Sequence, residues 1–186
     1  AVNSRLFEFS PSSLALPFII IAFAMMEKRR WLFFAISMIF LLGLKEHMGI
    51  VLIGVGLYKI FQKDYSTGAL LSGLGFLISY TMIFQVMPYF RDYQPFINTQ
   101  IAPFHNIQGK LIYLFKLNWP LGFLPLIFWR YGIIAAPAIG VNLISGRESM
   151  FSSSFHHDDI SSILLLMTSA MVVIEKRDSF LHWLKF

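Results

Sequence analysis

Residues 68–87 pass without a single Asp, Glu, Lys or Arg. Coiled as a helix at about 1.5 Å per residue, that run is about 30 Å long, the thickness of the hydrocarbon core of a bilayer. Other apolar runs flank it, each stopped by charge. Residues 11–26 end at Glu27-Lys28-Arg29-Arg30, residues 31–44 at Lys45-Glu46-His47, and residues 48–61 at Lys63-Asp64. Residues 111–129 end at Arg130, residues 131–144 follow, and residues 160–174 stop at Glu175-Lys176-Arg177. The pattern predicts an all-α fold, a polytopic transmembrane helical bundle of about five to seven spans in a single domain over residues 1–186. Only 13% of the residues are charged against 56% hydrophobic, which leaves too few polar side chains to face water.

Local signals fit this reading. Ser10, Ser12 and Ser13 can cap the first run, and Pro11 suits a first helical turn. Residues 88–110 hold three prolines and mixed polarity, so they are expected to form an outer loop with room for a short interfacial helix. Asn118, Pro120 and Pro125 predict a kinked or broken fifth helix. Gly54, Gly56, Gly73 and Gly75 are read as points of close helix packing. Trp31, Tyr58, Tyr89, Trp119, Trp129, Tyr131 and Trp183 stand where runs end, the depth at which amphipathic rings meet headgroups. The chain has no cysteine, which excludes disulfides and thiolate chemistry. Its net charge of +5 punctuates the apolar runs and forms no stripe, so it reads as topology and not as a nucleic-acid surface.

With alternating spans, one face receives Lys28, Arg29, Arg30, Lys59, Lys63, Arg130, Lys176, Arg177 and Lys185. The other receives Arg5, Lys45, Arg91, Lys110, Lys116 and Arg147. The richer face is expected in the cytoplasm. Lys45-Glu46-His47, the 88–110 loop and the polar stretch 152–159 then share the outer face.

Three constellations there could carry chemistry. A single helix over 31–58 would be about 42 Å long, so Lys45-Glu46-His47 is read as the turn of a hairpin. Were it inside the membrane, each charge would cost about 2.5–3.5 kcal/mol and imply a function. His156-His157-Asp158-Asp159 combines imidazole with carboxylate, which suits a divalent metal or proton transfer, while Asp158 and Asp159 equally suit a helix N-terminus. Arg91, Asp92, Tyr93, His105 and Asn106 could meet an anionic or sugar ligand, or be an ordinary wet loop. No phosphate-loop glycine spacing and no HExxH or GxSxG motif is present.

The ordered set Phe9-Ser10-Pro11, Leu14-Ala15-Leu16-Pro17, Leu44-Lys45-Glu46, Gly54-Val55-Gly56-Leu57-Tyr58 and Met87-Pro88-Tyr89-Phe90 resembles a prokaryotic family of polytopic membrane proteins of unknown function. Phe123-Leu124-Pro125-Leu126, Ala136-Pro137-Ala138, Asn142-Leu143-Ile144-Ser145 and His156-His157 continue the likeness in order. That family is grouped by similarity with GT-C type glycosyltransferases. The resemblance implies a cell membrane of a bacterium or archaeon, a polyprenyl-phosphate-linked sugar donor and an extracytoplasmic site. It also implies an internal or C-terminal portion of a longer chain, because GT-C enzymes carry a catalytic acid in their first outer loop. Relatives have Phe-His-Pro where this chain has Phe9-Ser10-Pro11.

Under a glycosyltransferase reading, Glu46 or Asp158 is the catalytic base. Lys45 and Arg91 hold phosphate, and His47, His156 and His157 contact the donor or a divalent metal. The alternatives are a transporter or flippase-like protein, with the broken fifth span lining a pathway, and a non-catalytic membrane subunit.

Overall fold

A computed structural model of the chain describes residues 14–44, 48–90, 101–151 and 159–176. Among the described residues the elements are helices, and the β feature is an isolated bridge between Ile101 and Ser145. The protein is all-α, as its run pattern requires. It divides into two compact units, Ala1–Met48 and Gly49–Phe186.

In the first unit, α1 (Ala15–Glu27) and α2 (Trp31–Leu44) form an antiparallel hairpin, with Phe18 near the start of one stacked on Phe40 near the end of the other. The turn is closed by backbone N–H donation from Arg29 to Met26 O and from Arg30 to Met25 O, with Arg29 at φ 55°. Both helices are apolar on every side, yet burial follows the helical period. Ala15, Ile19, Ala22, Phe23 and Met26 are buried on α1, and Phe34, Ser37, Met38 and Leu41 on α2. Leu32, Phe33, Ile39 and Phe40 face outward. A helix with no polar face has a solvent-exposed side only if the solvent is apolar.

In the second unit, α3 (Gly49–Phe61) turns into α4 (Tyr65–Thr81) in the same way. Lys63 N–H donates to Ile60 O and Asp64 N–H to Lys59 O, with Lys63 at φ 67°. The two helices lie close enough that a Cβ on Gly75 would sit 2.7 Å from Gly49 O and 2.8 Å from Ile53 N. Ser72 Oγ donates across the seam to Ile53 O at 3.4 Å. α4 does not stop at Thr81. It continues through a π-helical segment, Met82–Val86, into α5 (Met87–Phe90). Pro88 has no N–H to give to Phe84 O, and the preceding Met87 N–H reaches back five residues to Met82 O, the wider π spacing. The resulting helix, Tyr65–Tyr89, is 25 residues long and apolar enough to cross a membrane. It overruns the expected 68–87 at both ends because Asp64 caps it earlier and Pro88 widens it instead of breaking it.

The fifth and sixth runs fold into shorter pieces than their hydropathy suggests. α6 (Ile107–Asn118) passes into a 3-10 turn at Trp119–Leu121, and Gly122 and Phe123 both adopt left-handed backbone, φ 57° each. α7 (Leu124–Ile127) and α8 (Trp129–Gly132) follow, and α9 (Ala136–Ile144) has nine residues. Pro120, Pro125 and Pro137 each fall in the first turn of a segment, where the missing N–H is tolerated. A further 3-10 turn, Glu148–Phe151, precedes α10 (Asp159–Glu175), which realises the seventh run.

Candidate functional site

Packing within the second unit fixes which helix ends lie together. Tyr58 on α3 meets Tyr131 on α8 at 6.1 Å between ring centroids, and Phe61 meets Trp129 at 5.0 Å. A Cβ on Gly54 would strike Ile134 O, so α3 and the chain leading into α9 run in opposite directions. Tyr131 Oη donates to Glu175 at the end of α10. One end of the unit therefore gathers Lys59, Lys63, Asp64, Arg130, Glu175 and Lys176. The other end gathers the start of α3, the end of α4–α5, the start of α6, the end of α9 and the start of α10.

The basic end is a set of ordinary helix termini. Asp64 is the N-cap of α4 and accepts from Thr67 N–H at 3.3 Å. The Thr67 side chain first, then its N–H, the charge of Lys59 and the Ser66 hydroxyl hold the Asp64 carboxyl below its ordinary value of 3.8, against a smaller opposing effect of burial. Lys59 Nζ donates to Gln62 Oε1 at 2.9 Å.

The opposite end is more elaborate. The 101–106 segment is pinned to the end of α9 by the Ile101–Ser145 bridge, with Ala102 N–H donating to Ile144 O at 3.0 Å. Asn106 occupies left-handed backbone, φ 47°, which Asn tolerates better than most residues. From there its Oδ1 accepts from Gly109 N–H at 3.0 Å and caps α6, while its Nδ2 donates to Glu148 Oε1 at 2.8 Å. Beneath lies a buried polar cluster in which Asn142 Nδ2 donates to Tyr113 Oη at 2.8 Å and to Ser161 Oγ at 3.4 Å. It ties α9 to α6 and to the first turns of α10. Such bonds are worth about 0.6 kcal/mol on average in a membrane protein, reaching about 1.7.

Lys110 stands between these layers, on the first turn of α6 and only 5% exposed. Its Nζ donates to Ala102 O at 2.8 Å and to Pro103 O at 3.0 Å, and lies 5.4 Å from the centre of the Phe151 ring. Burial pulls its pKa below the ordinary 10.5.

The surface around this framework identifies its solvent. On α4 the buried positions are Gly68, Leu71, Gly75 and Ser79, whereas Leu70, Phe76 and Leu77 are 66%, 65% and 59% exposed. Three of the four buried positions are small, while large apolar side chains face outward, an arrangement used where helices pack in lipid. Comparison with known families agrees, because residues 1–185 match the family described as "Predicted membrane protein (DUF2079)". The chain belongs to that family. No match was found among curated proteins or among solved structures.

In this DUF2079 protein the residues singled out from sequence are unevenly placed. Lys45, Glu46, His47, Arg91, His156, His157 and Asp158 lie outside the described residues, as do Asp92 and Tyr93. Their described neighbours lie at the Lys110 end of the second unit. α3 starts there just after 45–47, Ile101 follows the 91–100 stretch, and Phe151 and the start of α10 bracket 152–158. His105 is exposed in the pinned turn, and Asn106 is a helix cap tied to Glu148. Among the described residues no three His, Asp or Glu side chains gather as metal ligands.

Of the aromatics expected at the headgroup layer, Trp31, Tyr89, Trp119 and Trp129 are exposed, while Tyr58 is buried against Tyr131. Trp183 lies outside the described residues. Lys110, Tyr113, Asn142 and Ser161 stand out in the structure without belonging to any of the three constellations of the sequence. The available signal was a set of hydrogen-bonding groups set into apolar runs near their outer ends.

Proposed function

We propose that this chain is a GT-C-like glycosyltransferase, or a portion of one, that takes a sugar from a polyprenyl-phosphate carrier at the extracytoplasmic face. The observation that supports this best is the gathering of the described neighbours of 45–47, 91–100 and 152–158 at the end of the second unit opposite Lys59, Lys63, Arg130 and Lys176. By the positive-inside rule the sparsely basic end faces outward. The ordered motif resemblance supplies the reaction class.

In that reaction the acceptor hydroxyl attacks the anomeric carbon. The bond from that carbon to the phosphate oxygen breaks, and the polyprenyl phosphate leaves with the electron pair. Glu46 or Asp158 takes the hydroxyl proton as general base. Lys45 and Arg91 hold the phosphate, Arg through paired donors. His47, His156 and His157 contact the sugar or a divalent ion. The chain's own contribution is to exclude water and fix the acceptor against the donor.

The test is Glu46→Gln in the full-length protein, followed by analysis of lipid-linked glycans. Loss of product, by a factor of about 10² or more, is expected for removal of a general base. Wild-type product levels would exclude Glu46 from that role.

A further inference from the structure

The carbonyl-held ammonium of Lys110 is not used by the scheme above. An ammonium has three donors, and two go to Ala102 O and Pro103 O. Among the described residues the third has no acceptor and no carboxylate lies within ion-pair distance. The acid on the adjoining 3-10 turn, Glu148, is engaged by Asn106. Carbonyls and the face of Phe151 orient the charge without cancelling it. The group stands at the N-terminal turn of a 12-residue helix, whose dipole adds to the positive potential. A site with a buried cation, a helix N-terminus and no counter-charge among the described residues is complementary to an anion with several oxygens.

We propose that Lys110 binds a phosphate oxyanion at this end of the molecule, with its third N–H given to a phosphate oxygen. This deepens the glycosyltransferase reading and rests on it for the source of the phosphate, the headgroup of a polyprenyl-phosphate carrier. The same chemistry would also suit free phosphate, and the experiment separates the two.

The full chain, purified in maltoside micelles that contain no phosphate, is titrated with geranylgeranyl monophosphate, geranylgeraniol and inorganic phosphate, with tryptophan fluorescence as the readout. Lys110→Gln keeps donors for the two carbonyls and removes the charge. Lys110→Met keeps only the aliphatic stem, and Lys110→Arg keeps the charge. The expected result is saturable binding of geranylgeranyl monophosphate that weakens about tenfold or more in whichever neutral variants fold, with Lys110→Arg retaining most of it. Geranylgeraniol should bind the neutral variants no differently from wild type. Unchanged phosphate-lipid affinity in Lys110→Gln or Lys110→Met overturns the assignment and leaves the transferase reading standing. Binding of inorganic phosphate with no preference for the prenyl phosphate keeps Lys110 as an anion site and removes the lipid-linked carrier. Binding of neither phosphate removes both.

Discussion

Single residues carry the polar economy of the two ends. Asp64 is the clearest case, since one carboxylate caps a helix long enough to cross the membrane. Its folded pKa is depressed, so the stability it contributes is fully present above the unfolded value of about 3.9 and is lost as pH falls through the lower folded value. The stability difference between wild type and Asp64→Asn in detergent should therefore be constant from neutral pH down to the ordinary carboxylate range and shrink below it. A pH series of thermal unfolding curves for both proteins checks this, and a difference that grows on acidification contradicts the assigned sign. Asp64 was legible in the sequence as the polar stop between two apolar runs. Lys110 was legible only as a charge near the start of one. What folds Ala102 and Pro103 over its ammonium is the bridge from Ile101 to Ser145, a pairing between distant parts of the chain that no local pattern encodes.

Elements are set by how closely backbones approach. Gly73 and Gly75 look alike in the sequence, two glycines in one apolar run, and the pattern predicts close packing at both. In the fold a Cβ on Gly73 meets nothing within 4 Å, whereas one on Gly75 enters the α3–α4 seam. Gly75→Ala is expected to destabilise the protein by about 1–3 kcal/mol through overpacking, and Gly73→Ala to be neutral or stabilising by up to about 1 kcal/mol. Denaturant titration of the two variants side by side measures the contrast, and equal effects would contradict the seam. The break in the fifth run was readable from Asn118, Pro120 and Pro125. That it yields α7, α8 and a nine-residue α9 was not, because left-handed backbone at Gly122 and Phe123 redirects the chain and Phe123 advertises no such turn. The two hairpin turns are a similar case. Charge clusters announced them, but the left-handed position usually given to glycine is taken by Arg29 and Lys63.

For the whole molecule, the separation of a more basic end from one with fewer basic and more acidic residues is the property read most directly from the sequence. It follows from span alternation and needs no side-chain detail. The chain has no cysteine, so single cysteines report sidedness without background. In intact cells a membrane-impermeant maleimide should label His105→Cys and should reach Gln62→Cys only after the membrane is opened. The reverse pattern would invert the orientation, and labelling of both from one side would remove the two-ended arrangement. The outward-facing apolar side chains of α4 also determine which substitutions the chain tolerates. Its outward Leu70, Phe76 and Leu77 can be exchanged for other greasy side chains at little expense to the fold, because hydrocarbon tails accommodate any of them. Enlargement is expected to be costly instead at Gly68 and Gly75, where an added Cβ would enter the α3–α4 seam. The architecture is thus held by residues that contribute almost no greasy surface of their own.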